Sequence, residues 1–465
     1  MTDKSSIGQP RLARALPFVL PFAIATLMLG SPGCGGSSSD SSPGGSTLVA
    51  SPTPTLSPSP TAGDPTAAQA SVETGKAQLN NLLQSPGNPT LAQLQAIQTT
   101  FASAHAADGS NSQAAFGFAA SSIAATTQSA LIALGAASRA AGSTGTSDTL
   151  KPLSDTILAV NPWSGQALST RSLKNTLSRA TTAPIAMTQV RIGHRSVDIN
   201  ALRTSLIALR QALDGAIPAA KQAAGDPNFA FTMYDFNHNG GTLTADQGDA
   251  QTFLSGLYAT RAVISAALAY NVDYGSFDFN QKLRDKFGAN LQTGFVIKPD
   301  DYLPAAPFAT LNTDGQAYMK SVISDLQAAA NTAQTATATL RARASGAGHL
   351  VPTTGVDFSA VSGDIAQVQS ALTGNYTFAS SQPVTVNIPG WFNSPPPSLR
   401  ALEPTYTITS VDTNNTQNFT MSASAPDRTL GGLVVNPPSS GALTATYYGT
   451  DSLANLASAS YLTLR

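Results

Sequence analysis

Between Asp235 and Asp246 the sequence sets oxygen-bearing side chains at alternate positions and follows them with a glycine pair: Asp235-Phe236-Asn237-His238-Asn239-Gly240-Gly241-Thr242-Leu243-Thr244-Ala245-Asp246. A hard cation such as Ca2+ is satisfied by roughly six to eight oxygens, drawn from carboxylates, amides and backbone carbonyls. Asp235, Asn237, Asn239, the carbonyl of Gly241 and Asp246 stand where such a loop needs donors, and Gly240 stands where it must turn sharply. Only two of these donors are carboxylates, so the expected site is weak and suited to the calcium level outside a cell. The same residues also read as an Asx-rich turn. In that reading Asp235 and Asn237 bond their own backbone, Gly240-Gly241 reverses the chain and Thr244 caps the next helix.

Little else in the chain has the spacing of chemistry. His105, His194, His238 and His349 are far apart, and none is paired with a second ligand at helical spacing. They are expected at surfaces and helix ends. No GxSxG elbow, GxxxxGK loop or dinucleotide fingerprint occurs. The acid pair Asp300-Asp301 sits between Pro299 and Pro304, the context of a solvated loop, and Asp273 and Asp278 are a weaker pair. Aromatics gather at Phe229, Phe231, Tyr234 and Tyr258, and again at Tyr270, Tyr274, Phe277 and Phe279. Core packing accounts for them better than a sugar-stacking platform, because they bracket expected helix junctions.

The only cysteine, Cys34, has a different context. Lys4, Arg11 and Arg14 precede an uncharged apolar run at 15–29, and Gly30-Ser31-Pro32-Gly33 leads to the thiol. This three-part layout resembles a bacterial lipoprotein leader, and the resemblance implies that Cys34 is acylated after cleavage. A cleaved secretory signal is the alternative. A permanent span ranks last, because the run is shorter than the roughly 20 residues needed and Pro17 and Pro21 interrupt it. The Gly-, Ser-, Thr- and Pro-rich stretch that follows cannot form a core and reads as an extended tether. With Cys34 used in this way, the body has no thiol left and must be stable by packing alone.

Composition narrows the class of the body. With 42% hydrophobic residues it can bury a sizeable core, and with only 11% charged residues it is far from a solvated, disordered chain. The 25 basic and 26 acidic residues give a net charge of -1, which offers no footprint for nucleic acid. No second apolar run is long enough to cross a bilayer.

Apolar spacing predicts a succession of helices. Val72, Leu79, Leu82 and Leu83 share one face, then Thr90 caps a helix carrying Leu91, Leu94, Ile97 and Phe101. Asp108-Gly109-Ser110-Asn111 breaks it, and a third begins near Ala114 and runs to Leu131 and Leu134. After a poorly specified stretch at 142–195, the strongest stripe runs from Val197 through Leu202, Leu206, Leu209, Leu213 and Ile217, ending at Gly225-Asp226-Pro227. Further helices are predicted over 244–272, 314–343 and 356–372. After Gly374 the period falls to two at Val384-Thr385-Val386-Asn387-Ile388, and Pro395-Pro396-Pro397 rules out helix nearby. Two strand-like runs, Tyr406-Thr407-Ile408-Thr409 and Phe419-Thr420-Met421, read as a hairpin around Asp412-Thr413-Asn414-Asn415.

Phe101, Ala104 and Ala119 lie where the tetratricopeptide class has a large residue or alanine, and the local helix-turn-helix pattern resembles it. An irregular helical bundle is the open alternative. The oxygen-rich loop resembles an EF-hand loop. Gly390-Trp391-Phe392-Asn393-Ser394-Pro395-Pro396 and Pro426-Asp427-Arg428-Thr429-Leu430-Gly431-Gly432-Leu433 are similar to segments of a group of uncharacterised bacterial envelope proteins. The expected fold is mainly α, an irregular helical-hairpin array or bundle with a small C-terminal β or extended region. The expected organisation is a leader at 1–33, a tether at 34–66, a helical body at 67–374 and an extended or β-rich region at 375–465.

Taken together, these readings describe a lipid-anchored envelope protein facing periplasm or exterior, held to the membrane through lipid on Cys34. It would be a non-enzymatic scaffold or macromolecular binding module with one stabilising calcium ion, and its partner would be protein or polysaccharide. A polysaccharide- or small-molecule-binding lipoprotein is the second expectation and a hydrolase the third.

Overall fold

The computed structural model describes residues 63–447 apart from 86–88, 141–198, 236–240, 274–284, 286–291, 344–347, 379–383, 412–418, 425, 428 and 438–442. Cys34, the leader and the tether up to residue 62 therefore lie outside the described residues, as does the stretch at 142–195, while the last residues of the expected tether, 63–66, already cap and open the first helix. The fold is mainly α with small β pieces, as expected.

Local chemistry starts and stops the helices. Asp64 accepts a hydrogen bond from the Ala67 N–H at 3.0 Å and Pro65 takes the first position of α1 (Pro65–Gln84), where a missing N–H costs nothing. Thr90 and Gln93 form a reciprocal capping box at the start of α2 (Leu91–Ala107). Asn111 accepts from the Ala114 N–H at 2.9 Å and opens α3 (Ser112–Ala140). The stripe ending in Leu213 and Ile217 forms α4 (Ile199–Gly225), with Leu206, Leu209, Leu213 and Ile217 buried.

These helices run up and down in sequence order, each packed on the next. Cross-links between them show the alternation. The Gly63 N–H donates to Ala107 O, joining the start of α1 to the end of α2. Ser112 at the start of α3 donates to Asp226 just beyond α4 at 2.7 Å. Arg203 near the start of α4 donates to Leu268 O at the end of α5 (Gln247–Leu268). Gln327 on α7 (Gly315–Ala342) donates to Leu372 O at the end of α8 (Phe358–Thr373). A short α6 (Pro299–Tyr302) lies between α5 and α7.

Where side chains are small, backbones approach closely. The fully buried ring of Phe101 is clasped between Gly75 of α1 and Gly117 of α3, and a Cβ on either glycine would collide with it, at 2.8 Å for Gly75. Polar cross-links then fix three neighbouring helices. Arg261 of α5 makes a two-pronged pair with Asp325 of α7 at 3.0 and 2.6 Å and reaches Asp214 of α4 at 2.8 Å. Arg210 of α4 reaches Asp214 and Ser265 and lies over the ring of Tyr318.

One departure from the expected helices positions the site. Instead of beginning at residue 244, α5 is preceded by an antiparallel hairpin of β1 (Ala230–Tyr234) and β2 (Thr242–Asp246), with Thr232 opposite Thr244. Phe231, Met233, Leu243 and Ala245 alternate inward and are buried. Phe231 packs against Phe101 and Phe116 at ring separations of 5.9 and 5.3 Å, and Phe116 also meets Phe229 and Phe253. The hairpin reaches back to α1 through the Tyr234 N–H on Asn80 at 2.8 Å, and to α3 through Gln113 on Ala230 O.

The C-terminal region is built onto the helices. Val296–Ile297 (β3) pairs with β6 (Thr405–Val411), which continues to β7 (Phe419–Ser424) and β8 (Leu443–Tyr447), all antiparallel. The expected hairpin arms are β6 and β7. A second pair, β4 (Asn375–Phe378) and β5 (Val384–Asn387), includes the period-two run. The prolines at 395–397 do not exclude helix nearby: α9 (Ile388–Asn393) ends just before them, buries Trp391 and Phe392, and Leu399–Leu402 form a 3-10 turn after them. Proline forbids helix only where its ring and missing N–H meet a preceding turn, and α9 stops short of that. Buried Tyr270 donates to Pro396 O at 2.9 Å, tying this region to the end of α5.

The Phe101 clasp is directly testable. Gly117→Ala is expected to lower unfolding stability by about 1–3 kcal/mol through overpacking, and Phe101→Ala by about 3–5 kcal/mol. Measured by urea denaturation, the double variant should cost less than the sum of the two, because removing the ring makes room for the methyl group.

Candidate metal centre

The last residue of β2 is also the first cap of α5. Asp246 Oδ1 accepts from the Asp249 N–H at 3.1 Å, and Asp249 Oδ2 accepts from the Asp246 N–H at 3.0 Å. This reciprocal box stands two carboxylates side by side at the helix N-terminus, where the positive end of the helix dipole favours negative charge.

Because α7 runs antiparallel to α5, its C-terminal end arrives at the same place. Arg343, directly after α7, is nearly buried, and its Nη2 meets Oδ1 of both Asp246 and Asp249, the latter at 2.9 Å. Residues 348–351 then pass beside β2 as a strap. The Thr244 N–H donates to Gly348 O at 2.7 Å, the Val351 N–H donates to Asp249 Oδ1 at 2.9 Å, and Arg343 Nη1 donates to Val351 O at 2.9 Å. His349 sits on this strap in parallel register with Thr244. Its Nδ1 lies 3.5 Å from Asp246 Oδ2 and 3.9 Å from Asp249 Oδ2.

The two carboxyls respond oppositely to this setting. Burial works against ionisation of Asp246, but the bonds from Arg343 and the Asp249 N–H, with the nearby charge of Arg343, hold it below its ordinary value. Burial dominates at Asp249, whose side chain is fully enclosed, and pushes its carboxyl up despite the same partners. The ligand atoms of Asp246, Asp249 and His349 all lie within 4.8 Å of one another, so the cluster could hold a metal ion.

The expected EF-hand-like ligand set is not what the fold assembles. Asp235 and Asp246 are separated by the hairpin. Asp246 pairs with Ala230, and at about 3.4 Å per residue that puts it roughly 17 Å along the strands from Asp235. Asp235 is buried at the turn end, where its N–H donates to Gly241 O at 2.9 Å, while the carboxylate of Asp246 is committed to the cap of α5 and to Arg343. Asn237 and Asn239 lie outside the described residues, as does His238. A strand pairing has taken residues that a calcium loop would have wrapped around one ion. Thr244 is not the cap either; Asp246 is.

The remaining candidates are structural among the described residues. His105 stacks on Phe118 at 5.8 Å, and burial lowers its pKa. His194 is not among the described residues. Phe229, Phe231 and Tyr270 are core, which removes them from any exposed sugar platform, and Tyr274, Phe277 and Phe279 fall outside the described residues. Asp301 is not in a solvated loop: it is buried and accepts from the Lys298 N–H at 2.7 Å, while Asp300 pairs with Arg400. Asp278 lies outside the described residues. Sequence reading singled out Asp246 but passed over Asp249, whose place three residues after a capping acid is the one local signal available. Arg343 and His349 carry no such signal, since only the direction of α7 brings them here.

Comparison with protein-family models, with curated proteins and with solved structures yields no match.

Arg343→Met is expected to destabilise the chain by about 3–5 kcal/mol in urea unfolding, because it leaves a buried carboxylate uncompensated. Adding Asp249→Asn should recover part of that loss. Asp246 contributes stability that is present above its ordinary value of 3.8 and is lost as pH falls through its lower folded value. Asp246→Asn keeps a good N-cap while removing the charge, so it should flatten the acid limb of stability against pH.

Proposed function

We propose that this chain is a lipid-anchored protein of the bacterial cell envelope, acylated at Cys34, whose helical body is a non-enzymatic scaffold or macromolecular binding module. The observation that carries the reading is the up-and-down array, in which helices pack on their sequence neighbours. Among the described residues few large apolar side chains are exposed, and Ile132, Val296, Val356 and Val435 are scattered over a helix, a strand and two loops. A partner protein or polysaccharide would therefore be met mainly by hydroxyl and amide groups. No helix of the described residues is long and apolar enough to cross a membrane. The anchor in this reading is lipid on Cys34.

A metal ion enters this reading only as a stabiliser. The expected ligands Asp235 and Asp246 do not share an ion, and the cation part of the reading passes to Asp246, Asp249 and His349.

Two measurements test the proposal. Metabolic labelling with a radioactive fatty acid should mark the full chain and place it in the membrane fraction, whereas Cys34→Ala should be unlabelled and released. A photo-crosslinking residue at exposed Gln95 of α2 or Gln367 of α8 should give a discrete adduct in cells. Adducts at neither position would remove the scaffold reading, and labelling that persists in Cys34→Ala would remove the anchor.

A further inference from the structure

We infer that Asp246, Asp249 and His349 bind one divalent cation of the borderline class, with Zn2+ as its representative, through Oδ2 of each carboxylate and Nδ1 of the imidazole. The inference rests on the cation part of the reading above and is independent of the anchor and the scaffold.

The two carboxylates divide their oxygens between two tasks. Arg343 Nη2 meets both Oδ1 atoms, and both Oδ2 atoms face His349. His349 Nδ1 is sealed from solvent and has no hydrogen-bond partner. A neutral imidazole that presents a lone pair there faces two more sets of lone pairs, an arrangement that a cation between them converts from repulsion to attraction. Each Oδ2 retains acceptor capacity, since the Asp246 N–H uses only one direction at Asp249 Oδ2.

The spacing selects the kind of ion. A tetrahedral centre with bonds of about 2.0–2.2 Å holds neighbouring ligand atoms about 3.3–3.6 Å apart. The observed separations from Nδ1 are 3.5 and 3.9 Å and all three ligand atoms lie within 4.8 Å of one another, so the set closes onto such an ion by side-chain shifts alone. Ca2+ asks for an all-oxygen shell of higher number, which two carboxylates and an imidazole do not supply. The fourth position would fall to a water entering beside the imidazole ring, whose side chain keeps 25% of its surface although Nδ1 itself is sealed.

The surroundings are organised as metal sites require. Hydrogen bonds to Gly348 and Val351 on either side fix the strap that carries His349. Arg343 and the Asp246 N–H orient the carboxylates from behind, a role that outer partners play at metal centres.

The full chain, stripped with chelator and titrated calorimetrically, is expected to take up one Zn2+ and to melt at a higher temperature once loaded, with little response to Ca2+ or Mg2+. Co2+ in place of Zn2+ should give the visible absorption of a tetrahedral centre. His349→Ala and His349→Gln should each weaken Zn2+ binding by about 10- to 100-fold or more while leaving the metal-free melting temperature unchanged. A triple variant at His105, His194 and His238 should bind as the parent does. The proposal is overturned if the parent takes up no Zn2+, if either His349 variant binds as well as the parent, or if acidification stabilises the chain and Zn2+ does not. That last outcome would make a proton the occupant of Nδ1. Unchanged Zn2+ binding in Cys34→Ala would be expected whether or not the anchor exists.

Discussion

Close approach of helix backbones is the constraint on which this fold rests. Alanines line much of the buried surface, from Ala114 and Ala115 through Ala219 and Ala220 to Ala329 and Ala330. Each buries little apolar area, and at about 25 cal/mol per Å2 a single such contact contributes little. The compensation is proximity, because short side chains let helices interlock and gain dispersion along their whole length. Glycines stand where even a methyl group is too much: Gly248 lies under Leu340, and Gly315 lies against the carbonyl of Ala269. Large side chains then enter singly, as Phe101 does between Gly75 and Gly117.

A sparsely charged chain places its ions with economy. Among the described residues, the pairs that Arg261 and Arg343 make between helices exploit arginine's planar fork, which can hold two acceptors at once. Arg261 joins α5 to α7 and α4 midway, and Arg343 closes the end of α7 onto the start of α5. Smooth, alanine-rich faces could slide past one another with little loss, so such pairs supply register. The same end that needs Arg343 for register gathers two carboxylates and an imidazole, and its chemistry follows from that packing.

Much of the helical order was legible because its signals are local. Thr90 with Gln93, the break at Asp108-Gly109-Ser110-Asn111 and the stripe through Leu206, Leu209, Leu213 and Ile217 depend only on neighbours a turn or two away. The β1–β2 hairpin was not read, although Phe231 and Met233 alternate, because the oxygen-rich run between its strands suggested a cation loop and the start of a helix. What decided in favour of pairing was the aromatic surface of α2 and α3, which Phe231 covers. At the site, Asp246 was legible as a functional carboxylate but not in its company. Arg343 and His349 join it across about a hundred residues, and that meeting depends on the length and direction of α7.

The hairpin also has a bearing on how the chain reaches this state. A plain array of neighbouring helices could assemble piecemeal, one unit at a time, from contacts close in sequence. Here Tyr234 reaches Asn80 and Phe231 fills a space between helices laid down more than a hundred residues earlier. The first three helices therefore stay incomplete until a distant ribbon returns to cover them, which requires closing a long loop before the reward is collected. A rod of quasi-independent modules becomes one cooperative unit, slower to form and reluctant to open from either end.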